Sequence, residues 1–106
     1  MSGTSTPFIF TGGAQVIKSS ASTLYGIDGM APDSGFLQVY NKANAPIIGT
    51  DIPVATLPVI GAQRVAYPMP EGMILSNGLA VIFTRYAVPD TGNVINDAAV
   101  FLFRFA

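Results

Sequence analysis

Apolar residues alternate with a period of two along most of this 106-residue chain, and turn residues interrupt them every eight to twelve positions. No segment carries helical periodicity over eleven residues, so the pattern points to antiparallel strands packed as a sandwich or barrel. The clearest strand is Gly35–Asn41, with Phe36, Gln38 and Tyr40 on one face and Leu37 and Val39 on the other. Two strands depart from the usual arrangement of one core face and one wet face. In Leu79–Tyr86, Leu79, Val81 and Phe83 oppose Ala80, Ile82 and Tyr86. In Asp97–Phe105, Ala99, Phe101, Phe103 and Phe105 oppose Val100 and Leu102, with only Arg104 polar among them. Two arrangements satisfy such strands. Either another subunit supplies a second contact layer, or the strand is central and a loop or the N-terminal arm covers its outer face.

The remaining segments complete the outline. Ala14–Ser20 leads into Thr23–Asp28, where Leu24 and Gly26 oppose Tyr25 and Ile27. Gly29–Gly35 is a turn and Ala43–Pro53 a loop. Pro53–Ile60 contains Pro58, which has no N–H for a ladder and therefore belongs at an edge or bulge. Ala62–Tyr67 is closed by Pro68–Gly72, and Met73–Leu75 is short. Asn77-Gly78 suits the positive φ angles of a hairpin turn into Leu79. Pro89–Asn96 is the last loop. The sum is a single all-β domain over residues 14–106, an antiparallel β-sandwich of seven or eight strands. Residues 1–13 precede it as an arm carrying Phe8-Ile9-Phe10. The triplet reads either as an apolar anchor on a flexible arm or as a first strand paired within the domain.

Composition sets a second constraint. Half of the residues are hydrophobic and only 10% are charged, against about 25% charged in an ordinary soluble domain. A chain of this mass leaves roughly 5,600 Å² exposed, so it cannot hide all its apolar surface within itself. Other protein surface is expected to cover part of it. Five basic and six acidic residues are scattered along the chain, with no basic stripe to neutralise phosphates, so no nucleic-acid partner is expected. Near-zero net charge also removes the repulsion that keeps copies apart. No apolar run reaches the length of about 20 residues that a membrane helix needs, and no membrane role is expected. Met1–Thr11 lacks the basic and apolar regions of a secretory signal. Without cysteine there is no disulfide framework, and the redox compartment stays open.

The chemistry-bearing side chains are few. Without histidine or cysteine, Ser/His and Cys/His nucleophile systems and ordinary zinc sites are excluded. A phosphate-binding Gly-x-x-x-x-Gly-Lys-[Ser/Thr] string is absent. Five of the six acids fall in or beside expected loops, where a chance pair is the simpler reading than a catalytic one. Asp90–Asp97 is rich in oxygen donors, yet its spacing does not match a calcium loop, and Asp, Asn, Gly and Thr are ordinary turn residues. Tyr25, Tyr40, Tyr67 and Tyr86 lie on expected strands, where tyrosine is a good β-former rather than a sugar platform. Met30, Met69 and Met73 flank turns and serve as packing fillers. The expectation is a protein with no catalytic residues, no cofactor and no metal.

Several short runs occur in a suggestive order: Leu24-Tyr25-Gly26-Ile27, Gly35-Phe36-Leu37-Gln38-Val39-Tyr40-Asn41, Thr50-Asp51-Ile52-Pro53-Val54, and Pro70-Glu71-Gly72-Met73-Ile74-Leu75-Ser76-Asn77-Gly78-Leu79-Ala80-Val81. A hydrophobic strand ending in Arg104-Phe105 follows them. Over roughly residues 23–105 this resembles small virion proteins of tailed bacteriophages, of the capsid decoration (cement) type. The resemblance implies a jelly-roll-like sandwich on the capsid surface, often a homotrimer, with the major capsid protein as partner. It carries over no catalytic or metal residue. The expected function is a structural one: an oligomer that stabilises the head by bridging capsid subunits through buried apolar surface. The interface candidates are Phe8, Ile9 and Phe10 on the arm, and Phe101, Phe103 and Phe105 on the last strand, where either phenylalanine row could instead be core. Two other roles compete: a tail- or fibre-associated module that binds a host glycan, and a structural protein at the head–tail junction.

Overall fold

A computed structural model describes residues 6–87, 94–95 and 99–106, with residues 6–8 described through their backbone pairing. The described residues form eight strands and no helix. These are β1 (Thr6–Phe10), β2 (Ala14–Lys18), β3 (Ser22–Met30), β4 (Gly35–Tyr40), β5 (Ala55–Val59), β6 (Val65–Leu75), β7 (Leu79–Thr84) and β8 (Val100–Phe105). They build two four-stranded antiparallel sheets, ordered β1-β8-β3-β6 and β2-β7-β4-β5.

The pairing follows one rule. β1 pairs with β8, β2 with β7, β3 with β6 and β4 with β5. The first four strands therefore run alongside the last four in reverse order, as one long antiparallel ribbon. Rolling that ribbon brings β8 against β3 and β7 against β4, which closes the two sheets. This is the jelly-roll connectivity.

The core lies between the sheets. Leu37, Val39, Val81 and Phe83 from one sheet meet Phe10, Leu24, Ile27, Phe101, Phe103 and Phe105 from the other, all buried. Phe83 and Phe101 meet edge-to-face across the layers with ring centroids 5.7 Å apart. Phe10 and Phe103 do the same at 5.9 Å and 78°. Aromatic pairs prefer such geometry because the positive ring edge faces the negative π cloud. With this packing the accessible surface is 5502 Å².

Four local expectations are corrected. Residues 6–10 are not a flexible arm: they are β1, laddered to β8 from Thr6↔Phe105 to Phe10↔Phe101 and anchored by the buried Phe10 ring. Residues 1–5 lie outside the described residues. In β3 the alternation slips. A bulge between Leu24 and Gly26 inserts one extra residue against β8, so Leu24 and Ile27, three apart, share the core face. β6 does not stop at Pro68 but continues to Leu75, and residues 69–72 bow out between the pairs Gly26↔Pro68 and Leu24↔Met73. Gly72 in that bow has φ +80°, a conformation that glycine adopts without strain.

Asn77-Gly78 is not a hairpin turn. It carries the chain from β6 in one sheet to β7 in the other, and Asn41 Oδ1 accepts the Asn77 N–H at 2.8 Å. Gly78 is required there for space: a Cβ would sit 2.7 Å from the backbone oxygens of both Lys18 and Lys42.

Proline sits on three of the four edge strands. Pro7 lies in β1, Pro58 in β5, and Pro68 and Pro70 in β6. A proline offers no N–H to an incoming strand, so these edges are poor templates for strand addition. Tyr67 Oη donates to the Pro58 carbonyl and ties β6 to β5 between the sheets.

Candidate functional site

The two sheets differ in what covers their outer faces. On the β2-β7-β4-β5 sheet, Gln38, Tyr40, Ala80, Ile82 and Thr84 point away from the core and are nevertheless buried. The chain seals this face itself. Ile48 from the β4–β5 loop and Val94 from the β7–β8 connection pack onto Tyr40, Ala80 and Ile82. Both-face apolarity in β7 is thus satisfied by loops of the same chain.

Hydrogen bonds pin those loops. Gln38 Nε2 donates to Thr84 Oγ1 at 3.1 Å and to the Ala87 carbonyl at 2.9 Å, while its Oε1 accepts the Thr56 hydroxyl at 2.6 Å. Gln38→Leu would remove the donor to the buried Thr84 hydroxyl and leave the exposed Ala87 carbonyl and Thr56 hydroxyl to solvent, at a cost of about 1 kcal/mol. Denaturant titration and faster amide exchange around Arg85–Ala87 check this. Across the β4–β5 loop, Asp51 bonds Lys42 and accepts the Ile47 N–H at 2.6 Å. The Lys42 hydrogen bond, followed by the Ile47 N–H, holds the Asp51 carboxyl below its ordinary range. Its folded value lies below its unfolded value. The contribution to stability is therefore complete above the unfolded value of about 3.9 and lost as pH falls through the folded one. Amide exchange at Thr50–Val54 should accelerate on acidification in that window, and Asp51→Asn should flatten the response.

The β1-β8-β3-β6 sheet is different: its outer face is open. Strand register sets the rows. Ile9, Leu102, Asp28 and Ala66 lie side by side across the four strands. Arg104, Gly26 and Pro68 form the row on one side of it, and the Val100–Met30 pair lies on the other. Ile9 is 61% exposed, Val100 54% and Met30 45%. Ala66, Pro68 and Tyr25 are exposed as well, and Leu102 is partly exposed. Ile74, near the far end of β6, is 80% exposed.

At the centre of this face Gly26 has no side chain, and its neighbours stand around a dent walled by Tyr25, Asp28, Ala66, Pro68 and Arg104. Asp28 Oδ2 accepts Arg64 Nη2 at 2.9 Å. Its other oxygen is buried without a hydrogen bond, 3.6 Å from Arg104 Nη1.

The sequence-expected interface residues separate accordingly. Ile9 lies on the open face. Phe10, Phe101, Phe103 and Phe105 do not: they point between the sheets and are core of this chain, because period two sends Val100, Leu102 and Arg104 outward instead. Phe8 pairs with Phe103 through its backbone, and its side chain lies outside the described residues. Apart from Val94 and Ile95, the oxygen-rich 90–97 segment also lies outside them. Tyr25 and Tyr86, both exposed, belong to β3 of one sheet and to the segment after β7 of the other, so they form no shared aromatic platform.

No protein-family model, curated protein or solved structure matches this chain. The open face is therefore read from its own residues. Val100, Met30, Leu102, Tyr25 and Arg104 are the face residues that the sequence did not single out. The signal for three of them was the Val100/Leu102/Arg104 row of the last strand; for Tyr25 the bulge hid it. Chemically the face offers apolar contact and the half-exposed guanidinium of Arg104, loosely ion-paired with Asp28.

Proposed function

We propose that this chain is a virion structural protein of the capsid decoration type, seated on the capsid through the outer face of its β1-β8-β3-β6 sheet. The observation that carries this reading is the contrast between the two faces: one sealed by the chain's own loops, the other left apolar and open. Jelly rolls serve widely in capsids, and also in lectins, so the architecture supports the reading by analogy alone. Face-on docking suits a fold whose edges carry prolines.

The size of the face fits a repeated contact. Four strands at about 4.8 Å spacing and some 18 Å of length present roughly 350 Å². A stable pairwise interface takes about 800 Å² from each partner. A single copy is thus expected to hold weakly, whereas a symmetric oligomer such as a trimer gains avidity over neighbouring lattice sites.

The test is co-sedimentation of purified protein with shells of the major capsid protein, alongside native mass spectrometry. Saturable binding by an oligomer is expected. Ile9→Lys with Leu102→Lys should abolish binding. The exposed Ile9 site alone should shift stability by no more than about 0.5 kcal/mol, and Leu102, partly exposed and directly opposite Ile9, should add a further modest cost that denaturant titration of the double variant measures. Unimpaired binding by the double variant would remove the face from the interface.

A further inference from the structure

The dent over Gly26 has features that plain apolar contact does not require. Its volume is about 180 Å³, room for one side-chain end group, and Gly26 contributes only backbone to its lining. Two cations and one anion meet beside it: Arg64, Arg104 and Asp28. Arg64 takes the outer carboxylate oxygen of Asp28, and the inner one is buried away from solvent. Arg104 stands 49% exposed and makes a loose ion pair with the inner Asp28 oxygen at 3.6 Å, too long for a hydrogen bond. A planar fork of donors therefore stands at the rim of a dent of mixed polar and apolar lining, with one positive charge in surplus among Arg64, Arg104 and Asp28.

A carboxylate matches that fork in shape and charge. A second copy of this chain does not: two-fold stacking of the same face would bring like surplus charges together, on a footprint too small for a stable pair. Resting on the docking reading above, we propose that the dent receives an aspartate or glutamate side chain of the partner protein, its carboxylate held by Arg104 and its methylenes lying against Tyr25 and Pro68. The apolar rows around it exclude water from that contact. Gly26 is what makes the room. A Cβ at Gly26 would meet only the Tyr67 oxygen at 3.6 Å and Pro68 Cα at 3.9 Å, ordinary contact distances. Alanine thus fits the fold while filling the dent.

The experiment is an NMR titration of the labelled protein with N-acetylglutamate, with N-acetylglutamine and glucuronate at matched ionic strength as comparisons, both amino-acid probes being used as their α-methylamides so that the side-chain carboxylate is the only difference between them. N-acetylglutamate should shift the amides of Gly26, Asp28, Ala66 and Tyr67 and the Arg104 side-chain N–H, saturating in the millimolar range. N-acetylglutamine should not. Arg104→Gln and Gly26→Ala should each abolish the response with an otherwise unchanged spectrum. Equal shifts with N-acetylglutamine, or a response that survives both variants, overturn the carboxylate site. Tighter binding of glucuronate overturns the protein partner in favour of an acidic glycan. In the shell assay the same two variants should lose binding as fully as the Ile9/Leu102 pair. Absence of wild-type shell binding overturns the capsid reading alone, and the titration still decides the site.

Discussion

Phe103→Ala should destabilise the isolated domain by about 3–5 kcal/mol, the cost of removing a fully buried aromatic ring from a packed core. Phe103 has no exposed surface and stacks edge-to-face on Phe10, so the cavity would open beneath β1 and β8 at once. Small domains hold only about 5–15 kcal/mol in total. The variant should therefore unfold at much lower urea concentration, with β1 among the first elements to exchange. An interface phenylalanine would behave in the opposite way: its truncation would spare the monomer and weaken assembly. Equilibrium unfolding of the monomer separates the two, and an unchanged midpoint would contradict the core assignment.

Gly29→Ala is expected to be at least as damaging, at about 3 kcal/mol or more. A Cβ there would lie 2.0 Å from the Val100 carbonyl oxygen and 2.8 Å from Phe101 Cα. Both are backbone atoms of β8, the strand that links β1 to the rest of its sheet. No rotamer change relieves the clash; β3 and β8 must part. Gly26→Ala, three residues earlier on the same strand, meets nothing closer than 3.6 Å and should cost little. The pair makes an internally controlled test. Similar thermal midpoints for the two variants would show that β3 and β8 are not packed at the distance described.

The alternation in the sequence was a faithful guide to which residues share a face. It separated Leu37 and Val39 from Phe36, Gln38 and Tyr40, and Phe101, Phe103 and Phe105 from Val100 and Leu102. What it could not supply was the identity of the layer each face meets. Tyr40 and Ile82 look as interface-worthy as Val100 and Met30, and only the course of the β4–β5 loop and the β7–β8 connection tells them apart. The bulge at Tyr25–Gly26 was illegible for a related reason. A one-residue insertion is defined by the facing strand, and β8 lies more than seventy residues away in sequence (Gly26 against Arg104). Proline misled in β6, since Pro68 and Pro70 end a central strand but are tolerated on an edge. Asn77-Gly78 misled because a glycine chosen for lack of bulk looks the same as one chosen for its backbone angles.

The reverse-order ribbon also governs how the chain comes to be folded. Only β4 and β5 are sequence neighbours that pair; every other pairing reaches further, and β1, made first, waits for β8, made last. Such long-range closure is slow, on the order of milliseconds to seconds. Through that interval the nascent strands are apolar, nearly uncharged and without partners, which is when chains cross-pair and aggregate. Of the proline-bearing strands only β1, with Pro7, waits in this way; Pro58, Pro68 and Pro70 sit in β5 and β6, whose partners β4 and β3 precede them and stand open until they arrive. Lacking N–H groups, all four make their strands poor partners for the unpaired strands of another copy, a safeguard that matters in a chain with so few charges.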